Sequence, residues 1–153
     1  MLWVLKPRIS ISDKIAFYDL KTRDGIKSVY GFKIINRTWF YRVLDIRCEL
    51  LLLEDVNSHG GTNIFLQTLS LRKDQAWYIK RRFFVPDGEY ALVLHSEDDL
   101  IKIWDSYNKR LQFQLICKHS LSGFSKSFVM TYYHKDTNIK KGKFRFGDSF
   151  EIK

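Results

Sequence analysis

Cysteine, proline and glycine are all scarce in this chain of 153 residues, which holds two cysteines, two prolines and eight glycines. Two cysteines are too few for a disulfide framework or a cysteine-rich metal cluster. We therefore expect Cys48 and Cys117 to be reduced thiols of the core, as in a cytosolic protein. Because so little proline and glycine leaves no stretch with the composition of a linker, we predict no internal domain boundary.

Long hydrophobic runs are also missing. No segment approaches the roughly 18 apolar residues that cross a bilayer as a helix. The apolar residues 1–5 stop at Lys6-Pro7-Arg8, which is too short for the apolar region of a signal peptide. We expect a soluble chain in which residues 1–8 are a linker or the end of a preceding segment and residues 9–153 form a single β-sandwich domain.

No arrangement of residues typical of an active site is present. The four histidines lack metal-ligand spacing, and no nucleophile elbow or phosphate-binding glycine loop occurs. The acidic run Glu97-Asp98-Asp99 is explained by the first turn of a helix with Ser96 as its N-cap. We predict that the chain is not an enzyme and that it has no metal, no other cofactor and no small-molecule substrate.

Negative charge is in short supply, with 17 acidic against 26 basic residues and a net charge of +9. Such an excess favours an anionic partner, either nucleic acid or the inner leaflet of a membrane. Two stretches, residues 78–84 and 140–146, interleave aromatic and basic side chains as single-stranded nucleic-acid binders do. The same alternation is expected if the aromatic residues point inward and the cations line solvent or protect a sheet edge.

Hydrophobic residues make up 45% of the chain, and they recur mostly at every second position, the spacing of half-buried strands. Leu44 to Leu50 alternates in this way and ends in four leucines, Leu50 to Leu53, that require cover on both faces. Asp24-Gly25 predicts a tight turn between strands, and residues 57–61 a loop. About eight short strands and one short helix predict an all-β antiparallel sandwich.

Three placements follow from the same pattern. We expect a strand with Trp77, Ile79, Phe83 and Val85 on one face, a helix from Ser96 to about Tyr107-Asn108, and a last strand through residues 143–146.

The order of several motifs resembles the cytoplasmic domain of inward-rectifier potassium channels. Arg23-Asp24-Gly25, a strand ending in Asn36-Arg37, and a long strand containing Ile46 to Leu51 are similar to the start of that domain. Lys6-Pro7-Arg8 resembles the linker that leaves the inner transmembrane helix. Residues 111–133 resemble the strands around the apical loop of the family, and residues 142–146 resemble its final strand. The likeness is weak between residues 57 and 105.

This resemblance implies an immunoglobulin-like sandwich of the E-set type that forms a weak homo-tetramer, a four-fold ring beneath a membrane pore at the inner face of the plasma membrane. Lys6 and Arg8 would bind anionic lipid, and Ser120-Leu121-Ser122-Gly123-Phe124-Ser125 would form the gating loop. The pore helix and selectivity filter of the family are absent, so this chain cannot conduct ions by itself.

Two other interpretations stay open at this point. A stand-alone sandwich could act as an adaptor that binds a protein partner by strand pairing at a sheet edge. A basic surface could instead hold single-stranded nucleic acid, which we favour least.

Overall fold

The computed structural model describes residues 5–153, which form two packed β-sheets with two one-turn helices. The all-β sandwich predicted from alternation is confirmed, whereas its immunoglobulin-like E-set type stays a prediction. The elements are β1 (Ile9–Ile11), β2 (Ile15–Thr22), β3 (Gly25–Asn36), β4 (Val43–Ser58), β5 (Gly61–Leu69), β6 (Gln75–Ile79), β7 (Ala91–Ser96), α1 (Leu100–Ile103), β8 (Lys109–His119), β9 (Ser125–Tyr132), α2 (Lys135–Asn138) and β10 (Ile139–Lys141).

The first sheet is built on β3, which pairs with β1, β2 and β7. Its other edge is β10, which pairs with β2 in parallel and is the exception to an otherwise antiparallel arrangement. The second sheet is built on β4, which pairs with β8 on one side and with both β5 and β6 on the other. β9 lies beyond β8 and closes that side of the second sheet.

The core lies between the two sheets. Phe32 of β3 stacks on Phe113 of β8 with ring centroids 5.2 Å apart, and both rings are fully buried. Tyr132 is also buried and donates its hydroxyl hydrogen bond to the Ser12 carbonyl at 2.7 Å. Side chains of this size contribute roughly 1.5–3 kcal/mol each when they leave water, so this contact between the sheets is a main source of stability.

The turn at Asp24-Gly25 and the leucine run agree with the sequence, whereas the loop expected over residues 57–61 is only the two residues between β4 and β5. Thr22 pairs with Gly25 at the end of the β2–β3 hairpin, and Gly25 has a φ of 117°, which glycine adopts without strain. Leu50 and Leu52 point into the core, while Leu51 and Leu53 on the opposite face are also buried. Both cysteines are free and buried, and burial raises the pKa of each thiol to about 12.

The helix predicted from Ser96 to about Tyr107-Asn108 is much shorter. It spans Leu100–Ile103, and its N-cap is Asp99, whose carboxylate accepts the Lys102 amide at 3.3 Å. Ser96 instead belongs to β7. The helix ends because the next residue, Trp104, is buried with its indole N–H bonded to the Lys109 carbonyl at 2.8 Å, which turns the chain into β8.

Two further placements are corrected. Trp77 was expected to share the core face of its strand with Ile79, yet its side chain is 85% exposed while Ile79 is buried. β6 pairs with β4 where the register of β4 shifts, so Ala76 and Ile79, three residues apart, pack on the core. The strand also ends at Ile79, so Phe83 and Val85 lie beyond it. The last strand was expected at residues 143–146. The regular strand is β10 at Ile139–Lys141, and only an isolated bridge joins Phe144 to Ile152.

Candidate functional site

One end of the sandwich exposes aromatic and basic side chains together. It forms where the β3–β4 connection (residues 37–42) meets the segment after β6 (residues 80–85) and the β8–β9 loop (residues 120–124). We call this surface the aromatic–basic end, and its defining residues are Trp39, Phe40, Arg42, Tyr78, Lys80, Arg81, Phe83 and Phe84.

Asn36, the last residue of β3, holds the first two of these segments together. Its side chain is fully buried and donates to the Tyr41 carbonyl at 3.3 Å and the Lys80 carbonyl at 3.0 Å. Its side-chain oxygen accepts the Thr38 amide at 2.9 Å. One amide thus satisfies backbone groups of both segments, and a glycan could not reach this asparagine although Asn36-Arg37-Thr38 matches the acceptor pattern.

Backbone hydrogen bonds fix the relative positions of the three segments. The Phe83 amide donates to the Trp39 carbonyl at 3.0 Å, and the Ser120 amide donates to the Arg42 carbonyl at 3.2 Å. Phe84 adopts a φ of 63°, which is unusual for a residue with a side chain. Phe84 is 82% exposed in this conformation.

The aromatic rings of this end pack on each other and not into the core. Phe83 is the centre: its ring lies 6.2 Å from that of Trp39, 5.4 Å from that of Phe40 and 4.3 Å from that of Phe84. Trp39 and Phe40 are about half exposed. Clustered exposed aromatic rings are a feature of surfaces that meet a partner or a membrane.

Beside the aromatic cluster lies an open cavity of about 520 Å³. Cations and aromatic rings line it together, chiefly Phe40, Tyr41, Arg42, Tyr78, Lys80 and Arg81. The Arg42 guanidinium lies over the Tyr78 ring at 5.8 Å. Lys80 pairs with Glu89 at 2.5 Å, and that hydrogen bond raises the pKa of Lys80. Within residues 5–153, Arg42 and Arg81 have no acidic partner, so both can bind an anionic group.

The predicted gating loop, Ser120 to Ser125, lies at this same end. The Ser122 hydroxyl donates to the Leu5 carbonyl at 2.6 Å, which ties the loop to the N-terminal segment. The amides of Leu121 and Ser122 both donate to Nδ1 of buried His119 at 3.3 Å. Leu121 and Phe124 are exposed and add to the apolar surface.

The predicted lipid-binding residues, Lys6 and Arg8, are exposed and come close to the aromatic–basic end. The Arg8 amide donates to the Thr38 hydroxyl at 2.9 Å, and the Arg37 amide donates to the Arg8 carbonyl at 2.7 Å. The structure therefore brings the two predicted groups, the N-terminal cations and the 120–125 loop, to one end of the molecule. Their roles in lipid binding and gating stay predictions.

Sequence reasoning missed the aromatic and basic residues of the β3–β4 connection. Arg37-Thr38-Trp39-Phe40-Tyr41-Arg42 is a run of aromatic residues bounded by arginines between two strongly alternating strands. Large rings in a connection without alternation have no core face to occupy, and that is the signal that marks this run as a candidate surface.

The second basic–aromatic stretch, residues 140–146, lies elsewhere, along β10 and over the first sheet. It leads into a segment that buried Lys33 holds in place: the Lys33 ammonium donates to the carbonyls of Arg145, Gly147 and Ser149 at 2.7–2.8 Å. Burial lowers the pKa of Lys33. Asp148 accepts from Arg37 and, at 2.5 Å, from Arg82. We refer to residues 142–153 as the C-terminal clamp.

No protein-family model matches the chain, and no curated protein matches it in sequence. The resemblance to inward rectifiers therefore stays a prediction. None of the helices among residues 5–153 has the length and apolar content needed to traverse a bilayer.

Proposed function

We propose that this domain is a non-catalytic regulatory module that docks on an anionic membrane surface through the aromatic–basic end. The observation that carries the proposal is the cavity lined by Phe40, Arg42 and Arg81, in which neither arginine has an acidic partner among residues 5–153. The exposed rings of Trp39 and Phe84 lie beside it, packed with Phe40 around Phe83. Aromatic residues favour the headgroup region of a bilayer, and each cation near an anionic leaflet contributes about 1 kcal/mol.

The cavity suits an anionic headgroup, because its arginines can pair with phosphate oxygens while the exposed rings beside it enter the interface. Lys6 extends the positive surface on the side of the N-terminal segment. In this proposal the module serves a membrane pore of the inward-rectifier kind. Docking would then act on the 120–125 loop through the hydrogen bond between Ser122 and Leu5, to the extent that lipid binds one loop arrangement more tightly than another.

Vesicle sedimentation tests this proposal. Wild-type protein should sediment with phosphatidylcholine vesicles only when phosphatidylserine is included. The variant Arg42→Glu/Arg81→Glu should bind at least about 25-fold more weakly, since each lost cation accounts for roughly fivefold. Trp39→Ser/Phe84→Ser should also weaken binding, and that loss should persist at high salt because it is apolar.

The matched control is Lys140→Glu/Lys141→Glu, which changes the net charge equally at exposed positions of β10 in the other sheet. If this control weakens binding as much as the arginine variant does, membrane binding depends only on the net charge of the protein, and the proposal fails. The proposal also fails if a single-stranded oligonucleotide binds at physiological salt when anionic vesicles do not. The aromatic–basic end would then be assigned to nucleic acid.

A further inference from the structure

One edge of the second sheet, β5, lacks the features that normally prevent an edge strand from pairing with another chain. β5, Gly61–Leu69, pairs with β4 on one side, contains no charged residue and no proline, and is exposed along Gly61 to Thr68. Ile64, Phe65 and Leu66 are 56%, 71% and 56% exposed. Edge strands usually carry lysine, proline or a bulge that prevents pairing with another chain. The absence of all three from β5 marks it as a pairing surface.

The side chains of β5 are symmetric about Phe65. Reading outward in both directions, Ile64 corresponds to Leu66, Asn63 to Gln67, and Thr62 to Thr68. An antiparallel pair of identical strands centred on one residue places each side chain opposite its counterpart from the other copy. A strand with this symmetry therefore meets an apolar, amide or hydroxyl group of its own class at every position.

The alternation of hydrogen-bonded pairs between β4 and β5 is consistent with a pairing centred on Phe65. Ser58 and Gly61 flank a two-residue loop and so form a hydrogen-bonded pair, and such pairs alternate along antiparallel strands. The odd-numbered residues of β5 therefore bond to β4, in agreement with the Asp55 amide on β4, which bonds away from β5 to the Asn108 carbonyl. Thr62, Ile64, Leu66 and Thr68 are left with backbone groups directed to the open edge.

We propose that β5 is a self-association strand that pairs antiparallel with β5 of a second copy of this chain, with Phe65 on the two-fold axis. Ile64 then forms a hydrogen-bonded pair with Leu66 of the second copy, and Thr62 with its Thr68. The two Phe65 residues meet as a non-hydrogen-bonded pair, in which Cα atoms lie about 4.5 Å apart. The two second sheets become one continuous sheet.

The symmetry of β5 about Phe65 favours a second copy as the partner, and the charge distribution permits it. The chain carries a net charge of +9, so two copies repel each other wherever basic surfaces face. β5 has no charge, and the acidic residue nearest its tip, Asp55, is neutralised by Arg110 at 2.7 Å. When two β5 strands pair, no like charges of these strands face each other. Apolar pairs and Thr–Thr pairs across the strands add stability.

Cysteine cross-linking tests the register. Phe65→Cys should form a disulfide-linked dimer under mild oxidation, because the two Cα atoms fall within disulfide range. Ile64→Cys alone should not cross-link, whereas an equimolar mixture of Ile64→Cys and Leu66→Cys should. Native Cys48 and Cys117 are buried and do not compete. The control is Val129→Cys, at a position that is 50% exposed on β9, at the opposite edge of the same sheet.

Charge variants give an independent test in solution by sedimentation. Phe65→Lys places two lysines face to face and should raise the dimer dissociation constant at least about tenfold. Ile64→Lys/Leu66→Lys should do the same, while Ile64→Lys/Leu66→Glu should restore the dimer through Lys–Glu pairs. Circular dichroism establishes that each variant is folded. The proposal is overturned if Val129→Cys cross-links as readily as Phe65→Cys, or if the mass in solution is unchanged by Phe65→Lys.

Discussion

Lys33 is a buried cation with three partners. β3 places it on the outer face of the first sheet, where its ammonium bonds to three backbone carbonyls of the C-terminal clamp. Among residues 5–153, no carboxylate lies within hydrogen-bond distance of it. Burial of an unpaired charge is costly, and these carbonyls supply the compensating hydrogen bonds. Lys33 therefore fixes the C-terminal clamp to the first sheet, so the clamp is expected to unfold together with the core.

Replacement of Lys33 by methionine keeps the length of the side chain and removes the donor. The carbonyls of Arg145, Gly147 and Ser149 then lose their partner, so we expect the free energy of unfolding to fall by about 2–4 kcal/mol. Urea denaturation measures this change, and proteolysis at residues 145–153 should increase with it. Lys140→Met, an exposed lysine on β10, is the control and should change stability little. Equal losses in both variants would contradict the role of the three carbonyls.

His95 makes stability depend on pH. It lies partly buried against Tyr18, with Nε2 2.5 Å from the tyrosine oxygen, and burial followed by the charge of Arg72 lowers its pKa below the ordinary 6.5. As pH falls below 6.5 the unfolded chain takes up this proton before the folded one. The free energy of unfolding should therefore decrease with falling pH until the folded pKa is passed.

The variant His95→Gln should lose that part of the pH dependence in urea denaturation between neutral pH and pH 5. His59→Gln, at the exposed tip of the β4–β5 hairpin, should keep the wild-type slope. A wild-type slope in His95→Gln would assign the acid sensitivity to other groups.

At the scale of elements, the connection between β3 and β4 depends on one side chain. Asn36→Ala removes hydrogen bonds to Tyr41, Lys80 and Thr38 and leaves buried backbone groups unsatisfied. We expect a loss of about 2–4 kcal/mol in stability and weaker binding to anionic vesicles, because Trp39 and Arg42 are no longer held beside Arg81. Asn57→Ala, on the exposed β4–β5 hairpin, is the control and should change neither stability nor vesicle binding. Equal losses in the two variants would show that the three hydrogen bonds of Asn36 do not position the site.

Alternation predicted the strands where their pairing is regular, and it failed at a bulge. Ile46 to Leu50 alternates because β4 has the core on one face and solvent on the other. Between Leu44 and Arg47 the register of β4 shifts, so Val43 and not Leu44 lies in the core. Trp77 lies on β6 beside this irregular part of β4, so spacing alone could not place it. Lys33 is buried by carbonyls from residues more than a hundred positions later, and no local pattern contains that information.

The sequence predicted only part of the candidate site, because local patterns do not show which distant segments come together. The cations at residues 6 and 8 and the 120–125 loop stand out as motifs, but their meeting depends on a hydrogen bond between Leu5 and Ser122 that bridges 117 positions. Trp39 and Phe83 come together only because the segments that follow β3 and β6 are neighbours in the fold.

At the scale of the whole molecule, two assemblies are in competition. The weak tetramer predicted from the sequence is a ring in which all copies face one membrane. The pairing of β5 is a two-fold dimer. Light scattering distinguishes them. We expect the wild-type protein to have twice the mass of the monomer and the Phe65→Lys variant to have the mass of the monomer. A mass of four chains that Phe65→Lys does not change would favour the ring.

The length of β4 separates the two surfaces. Its 16 residues span about 50 Å, with Arg42 just before one end and the β5 hairpin at the other. Antiparallel pairing of β5 reverses the direction of every strand in the second copy, so the two aromatic–basic ends point away from each other. Such a dimer is a tether: it should draw separate anionic vesicles together and make their suspension turbid, while Phe65→Lys protein should coat single vesicles and leave them dispersed.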